Sequence, residues 1–207
     1  ASGGQVGRVV AGGRPQVGVR MGRGARLGTD LSDLEKRLRL ASIARAEAEF
    51  EPAGDANQAG PQIEKYLSPF REIMNLRADT LRYSDLSIGY AWCAAFVYYC
   101  CLQAGFRIPP EPSECAGGSL AAVSTWREWA SLPRNDLLLA PGAVPAVGDI
   151  VLFDRLLNET PLDHMGVVVG VGAGSITTAE GNVRNRAGLF TRRLDSHINS
   201  YVRLAGY

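Results

Sequence analysis

The sequence predicts an α+β fold in which helices come first and an antiparallel sheet follows. Three observations carry this. Apolar residues recur at helical spacing over residues 31–48 and 92–104. After Pro133 the pattern changes to short apolar runs at 149–153, 165–171, 175–179, 189–194 and 201–205, parted by turn residues. The links between those runs are too short for helical crossovers, so the strands must pair antiparallel.

A chain of 207 residues with 46% hydrophobic and 21% charged residues has the balance of a soluble globular protein. Its formal net charge of +1 leaves no global field to attract nucleic acid or an anionic membrane. No apolar run approaches the roughly 20 residues that span a bilayer. Residues 1–28 differ from the rest, with Arg8, Arg14, Arg20, Arg23 and Arg26, no acidic residue and nine glycines. They read as a Gly/Arg-rich arm with too little apolar side chain for its own core. Contact with an anionic polymer is the sharper alternative, and Val6, Val9, Val17 and Val19 could still pair with the body. The folded domain is expected over 29–207.

Ser32 followed by Glu35 is a capping-box pattern, and Leu31, Leu34, Leu38, Ala41, Ala44 and Ala48 give an amphipathic helix to about Glu49. A turn over Pro52–Pro61 precedes a short helix from Gln62 to Tyr66 and beyond, which Pro69 should disturb. Trp92, Phe96, Val97, Cys100 and Ala104, with Gly105 as the stop, predict a buried helix. Pro109, Pro110 and Pro112 make Arg107–Gly118 a loop. Leu120, Val123, Trp126 and Ala130 suggest one more helix before the strands.

The cysteines stand at 93, 100, 101 and 115, with no Cys-x-x-Cys pair and only two histidines, which excludes the usual zinc spacing. Cys93 and Cys100 lie two helical turns apart, too far to bridge, so free thiols are expected. A bond from Cys115 to Cys100 or Cys101 stays open. Cys93 falls in the first turn of the buried helix, where free N–H groups and the helix dipole favour a thiolate and could hold an oxyanion. A cysteine in an apolar helix is by itself more often packing, and Cys100 and Cys101 read as that.

A thiol nucleophile needs a base, and only His164 and His197 offer an imidazole. His164 opens the apolar run Met165-Gly-Val-Val-Val. The next run ends in Glu180-Gly-Asn182, and a Gly-Ala-Gly turn should join the two as a hairpin. His164 and Glu180 then lie at its open end on adjacent strands, where Glu180 can fix the imidazole tautomer.

These residues carry a resemblance. Trp92-Cys93-Ala-Ala-Phe96-Val97, Gln103-Ala-Gly105, Pro145-Ala-Val-Gly148-Asp149-Ile-Val-Leu-Phe153, Asp163-His164-Met-Gly166 and Glu180-Gly-Asn182 resemble, in order, the CHAP family of cysteine, histidine-dependent amidohydrolases/peptidases. Glu51, Asn57 and Gly60 are similar to the segment that precedes the catalytic part in many such enzymes, and Tyr201–Tyr207 to the family's last strand. The resemblance implies a papain-like, NlpC/P60-related fold with the nucleophile helix packed on an antiparallel sheet. It implies Cys93 as nucleophile, His164 as general base and acid, Glu180 as orienting residue and Asn182 as a further polar group on His164 or substrate.

It further implies hydrolysis of amide bonds in peptidoglycan through a thioester. Trp92, Tyr90 and Trp126 are expected at a substrate groove, although Trp126 shares a helical face with Val123 and Ala130 and reads equally as core. Some relatives carry a calcium loop before the cysteine, but Arg82–Gly89 lacks that ligand density, so neither metal nor cofactor is expected. The expected enzyme is a monomer, secreted or associated with the cell wall, with any signal sequence outside this chain. Two other classes compete: the same chemistry on another amide, and a silent binding module of the same fold.

Overall fold

In the computed structural model, residues 31–116, 118–140 and 142–207 are described, so the expected arm over 1–28 lies outside the described residues. Helix α1 (Asp33–Glu49) starts at the predicted capping box: the Ser32 hydroxyl accepts from the Glu35 N–H, and the Glu35 carboxylate accepts from the Ser32 N–H at 2.8 Å. The buried stripe keeps the expected Ala41, Ala44 and Ala48 but turns from Leu34 and Leu38 toward Leu40. Leu40, Ala41, Ala44 and Ala48 are buried, whereas Leu34 is 56% and Leu38 50% exposed. The C-terminal tail sets this rotation. The Asp33 carboxylate accepts from Gly206 N–H at 3.1 Å, Lys36 Nζ donates to Tyr207 O at 2.6 Å and Arg37 Nη1 to Leu204 O at 2.8 Å. The face at 33, 36, 37 and 40 therefore turns inward.

Pro69 disturbs the next helix as expected, and the chain turns helical again beyond it. Helix α2 (Glu64–Leu67) tightens through a 3-10 turn at Ser68–Phe70 and resumes as α3 (Arg71–Arg77). Proline near the start of such a turn lacks only an N–H that would be unpaired anyway. Helix α4 (Cys93–Ala104) ends at Gly105, whose φ of +100° is the left-handed stop the sequence predicts. Helix α5 (Val123–Ser131) follows the proline loop.

The five expected strands all form: β1 (Ile150–Phe153), β2 (His164–Gly172), β3 (Ser175–Val183), β4 (Arg186–Arg193) and β5 (Ile198–Val202). They make one antiparallel sheet in the order β4-β3-β2-β1-β5. β3 runs past its expected end at 179 through Glu180 to Val183, and β5 lies a few residues earlier than expected. The link from Arg193 to Ile198 reaches at most about 18 Å when extended. Four strand spacings in a flat sheet take about 19 Å. The chain therefore passes from one edge to the other only because the sheet curls.

Both faces of the sheet are covered, which is why its strands read as continuous apolar runs rather than alternating ones. Ile150, Leu152, Met165, Val167, Ala179 and Val202 join the main core with α1 and α4. Val151, Phe153, Val168, Ile176 and Tyr201 form a second, smaller cluster on the other face. The buried Asp149 carboxylate accepts two bonds of 2.8 Å from Arg203 and one of 2.7 Å from Ala146 N–H, tying β1 to the tail.

Helix α4 and the sheet come close at Gly181, where a β-carbon would fall 2.5 Å from Phe96 Cβ and 2.8 Å from the Trp92 ring. Gly181→Ala is expected to force these layers apart and lower the unfolding free energy by about 1–3 kcal/mol, read from urea unfolding.

Candidate active site

Helix α4 begins at Cys93, with Trp92 as its cap and no side chain closing the N-terminus. The first intrahelical bond runs from Phe96 N–H to Trp92 O at 2.9 Å, so the N–H groups of residues 93–95 have no intrahelical acceptor. Cys93 is 7% exposed and lies beside the imidazole of His164, whose charged form it favours. Gly181 makes this meeting possible, because only a residue without a side chain lets β3 lie against Trp92 and Phe96 in the turn that carries Cys93.

His164 is the first residue of β2, nearly fully buried, and stacks on Phe153 with ring centroids 6.1 Å apart. The register Val167↔Ala179 places Gly166 opposite Glu180 and His164 one step further along the same face. A β-carbon on Gly166 would stand 2.7 Å from Glu180 Cγ, so glycine there leaves the carboxylate room to reach the ring. Glu180 Oε2 accepts from His164 Nε2 at 2.9 Å. With Nε2 so occupied, Nδ1 is the nitrogen left for the Cys93 thiol.

Glu180 has no exposure to solvent, yet its carboxylate is satisfied on every side. Oε1 accepts from the Thr178 hydroxyl at 2.5 Å and Arg192 Nε at 2.8 Å, and Oε2 takes Arg192 Nη2 at 2.6 Å beside His164. Burial alone would raise its pKa, but Arg192 and then His164 reverse this and pull it down to about 2. Burial likewise opposes the charged imidazole, and the bonds to Cys93 and Glu180 overcome it, raising His164 to about 9. At neutral pH the buried row is thus imidazolium, carboxylate and guanidinium. Burial pushes the thiols of Cys100, Cys101 and Cys115 up, and all four cysteines are free.

The structure therefore brings together Cys93, His164 and Glu180, which the sequence singles out. Asn182 does not join them. Its side chain makes no bond to His164, and its φ of +64° puts it in the left-handed region that asparagine tolerates, at the irregularity where β3 bends. The expected groove aromatics are also corrected. Trp126 is fully buried and donates to Leu120 O at 2.8 Å, and Trp92 is fully buried, stacked on Tyr66 and bonded to Asn185 Oδ1 at 3.0 Å. Both are core. Tyr90 borders a cavity, a pocket of about 400 Å³ shared with Met74, Tyr83, Ala91 and Ala121, while its hydroxyl donates inward to Leu67 O.

Arg192 and Thr178 escape the sequence reading. Thr178 lies two residues before Glu180 on one strand face, a spacing that could have flagged it. Arg192 belongs to the next strand and looks like half of a solvated Arg-Arg pair. Arg71 is missed as well: it is buried, pairs with Glu64 at 2.6 Å, and donates to Tyr83 O and Ile88 O at 2.9 and 2.8 Å. It thereby shapes the loop that leads into Cys93. Among the described residues no cluster of three or more His, Cys, Asp or Glu side chains is placed to hold a metal ion, and no helix is long and apolar enough to cross a membrane.

Comparison with known families matches the CHAP domain to residues 85–182. No curated protein and no solved structure matches the chain.

Two outcomes follow from the buried row of charges. Arg192→Gln leaves Glu180 in the core without its main counter-charge and is expected to lower the unfolding free energy at pH 7 by about 3 kcal/mol, measured in urea. His164 has a folded pKa of about 9 against an ordinary 6.5, so its stabilisation is complete below 6.5 and disappears as pH rises through 9. The stability gap between the protein and His164→Gln should therefore narrow between pH 6.5 and 9.5, a trend that unfolding at a series of pH values reads directly.

Proposed function

Because the chain carries a CHAP domain, a module of cysteine, histidine-dependent amidohydrolases, we propose that it hydrolyses amide bonds of peptidoglycan through a Cys93–His164–Glu180 triad on a papain-like fold. The observation that carries this reading is the bond from His164 Nε2 to Glu180 within a site whose other imidazole edge meets Cys93.

In the resting site the thiol proton already lies on His164, as a thiolate and an imidazolium whose charge the Glu180 carboxylate balances. The thiolate attacks the amide carbonyl, and the free N–H groups at the start of α4 stand where an oxyanion would form. His164 then returns its proton to the leaving amine as the C–N bond breaks, which leaves a thioester on Cys93. Water, giving its proton to His164, attacks the thioester and releases the acid and the free thiol. Glu180 stays ionised throughout, since Arg192 and Thr178 hold it. Its task is to keep Nδ1 facing the sulfur.

The test combines purified peptidoglycan with mass spectrometry of the released fragments. The native chain should release new amine ends, and Cys93→Ala should cut the rate at least about a thousandfold. Limiting iodoacetamide near neutral pH should label Cys93 ahead of Cys100, Cys101 and Cys115, and more slowly in His164→Ala. No fragment release, with labelling that does not prefer Cys93, would sink the assignment.

A further inference from the structure

The sheet ends at β4, and half of that edge is already covered. Gly54 N–H donates to Asn185 O and Ala187 N–H to Pro52 O, both at 2.9 Å, with Ala53 bridging Arg186. An extended segment thus pairs with the start of β4 and then leaves it. Backbone groups of a strand point to alternate sides, so those of Leu189 and Thr191 face outward beyond this point. No backbone partner meets them among the described residues.

This free half forms one wall of a surface groove of about 850 Å³. Leu156, Leu189 and Phe190 supply its apolar lining, and Arg184, Arg186 and Arg192 stand against a single carboxylate, Glu51. The three cations differ in how far they are committed. Arg192 is spent on Glu180, and Arg186 stands 3.9 Å from Glu51 with both side chains more than half exposed. Arg184 is exposed at the tip of the β3–β4 hairpin and has no acidic partner among the described residues. Neither Cys93 nor His164 lines the groove, so it is a holding site rather than the bond-breaking cleft.

We propose that this groove binds an extended, carboxylate-bearing peptide, which adds to the sheet along Leu189 and Thr191 and places a carboxylate on Arg184. This rests on the hydrolase reading only in supplying the acidic peptide of the wall polymer as the natural occupant. Strand addition supplies affinity through main-chain bonds, and alternate side chains then face the Arg184 side and the apolar side. The guanidinium supplies the selection for acid.

The test uses the whole chain carrying Cys93→Ala, so that nothing is turned over. It is titrated with a synthetic peptide of alternating alanine and glutamate, and with the alanine–glutamine twin. The acidic peptide should bind about tenfold tighter than its twin, and added salt should erode the difference. Arg184→Gln should remove that preference and Arg184→Lys keep most of it. The Leu189 and Thr191 amides should become protected from hydrogen exchange on saturation. Equal affinity for the two peptides, or no change at these two amides, overturns the proposal. Fragment release from peptidoglycan by the native chain is scored separately: hydrolysis without peptide binding removes the groove and leaves the hydrolase, and peptide binding without hydrolysis does the reverse.

Discussion

The organising constraint of this molecule is a charge that has nowhere to go. Glu180 sits in the core with no access to water, and a bare carboxylate there would cost several kcal/mol. Four hydrogen bonds and two cations remove that cost, one cation being Arg192 and the other His164 itself. A fully satisfied buried array of this kind fixes geometry more firmly than it adds stability. The imidazole can neither flip nor drift without breaking the bond to Glu180. The thiol of Cys93 consequently meets the same ring nitrogen each time.

Several backbone features follow from the need to bring that array up to a helix end. β3 must approach α4 closely enough that residue 181 has no side chain, and β2 must leave room at 166 for the carboxylate to pass. The irregularity after Glu180 lets β3 change course toward the hairpin turn, with Asn182, Arg184 and Asn185 all at positive φ. Asn185 then reaches back to the Trp92 indole, so the turn that ends β3 also steadies the cap of helix α4.

The parts of this arrangement legible in the sequence are those set by short-range pattern. The capping box at Ser32, the Gly105 stop, the five apolar strand runs and the order of Cys93, His164 and Glu180 can all be read without coordinates. Register and rotation decide what could not be read. The stripe of α1 follows Leu40 and Ala44 rather than Leu34 and Leu38 because the tail at 204–207 holds the polar face inward, a contact about 170 residues away in sequence. Trp92 and Trp126 look like groove residues because large aromatics suit both roles, and only burial separates them. Arg192 was out of reach for the same reason: its partner is on another strand, and nothing in an Arg-Arg pair signals a buried carboxylate.

The matched stretch, 85–182, contains Cys93, His164 and Glu180, but not every residue that holds them. Arg71 shapes the approach to Cys93 from the N-terminal side, Asn185 braces Trp92, Arg192 neutralises Glu180, and Arg203 ties the tail to Asp149. Each of these lies outside the stretch, and each satisfies a group inside it that would otherwise be buried and unpaired or left without support. The unit that supports this array is therefore the whole packed body of residues 31–207. The supporting contacts come from neighbouring elements that reach the same place. Here they come from both flanks of the matched stretch, and the curl of the sheet brings the flanks together around it.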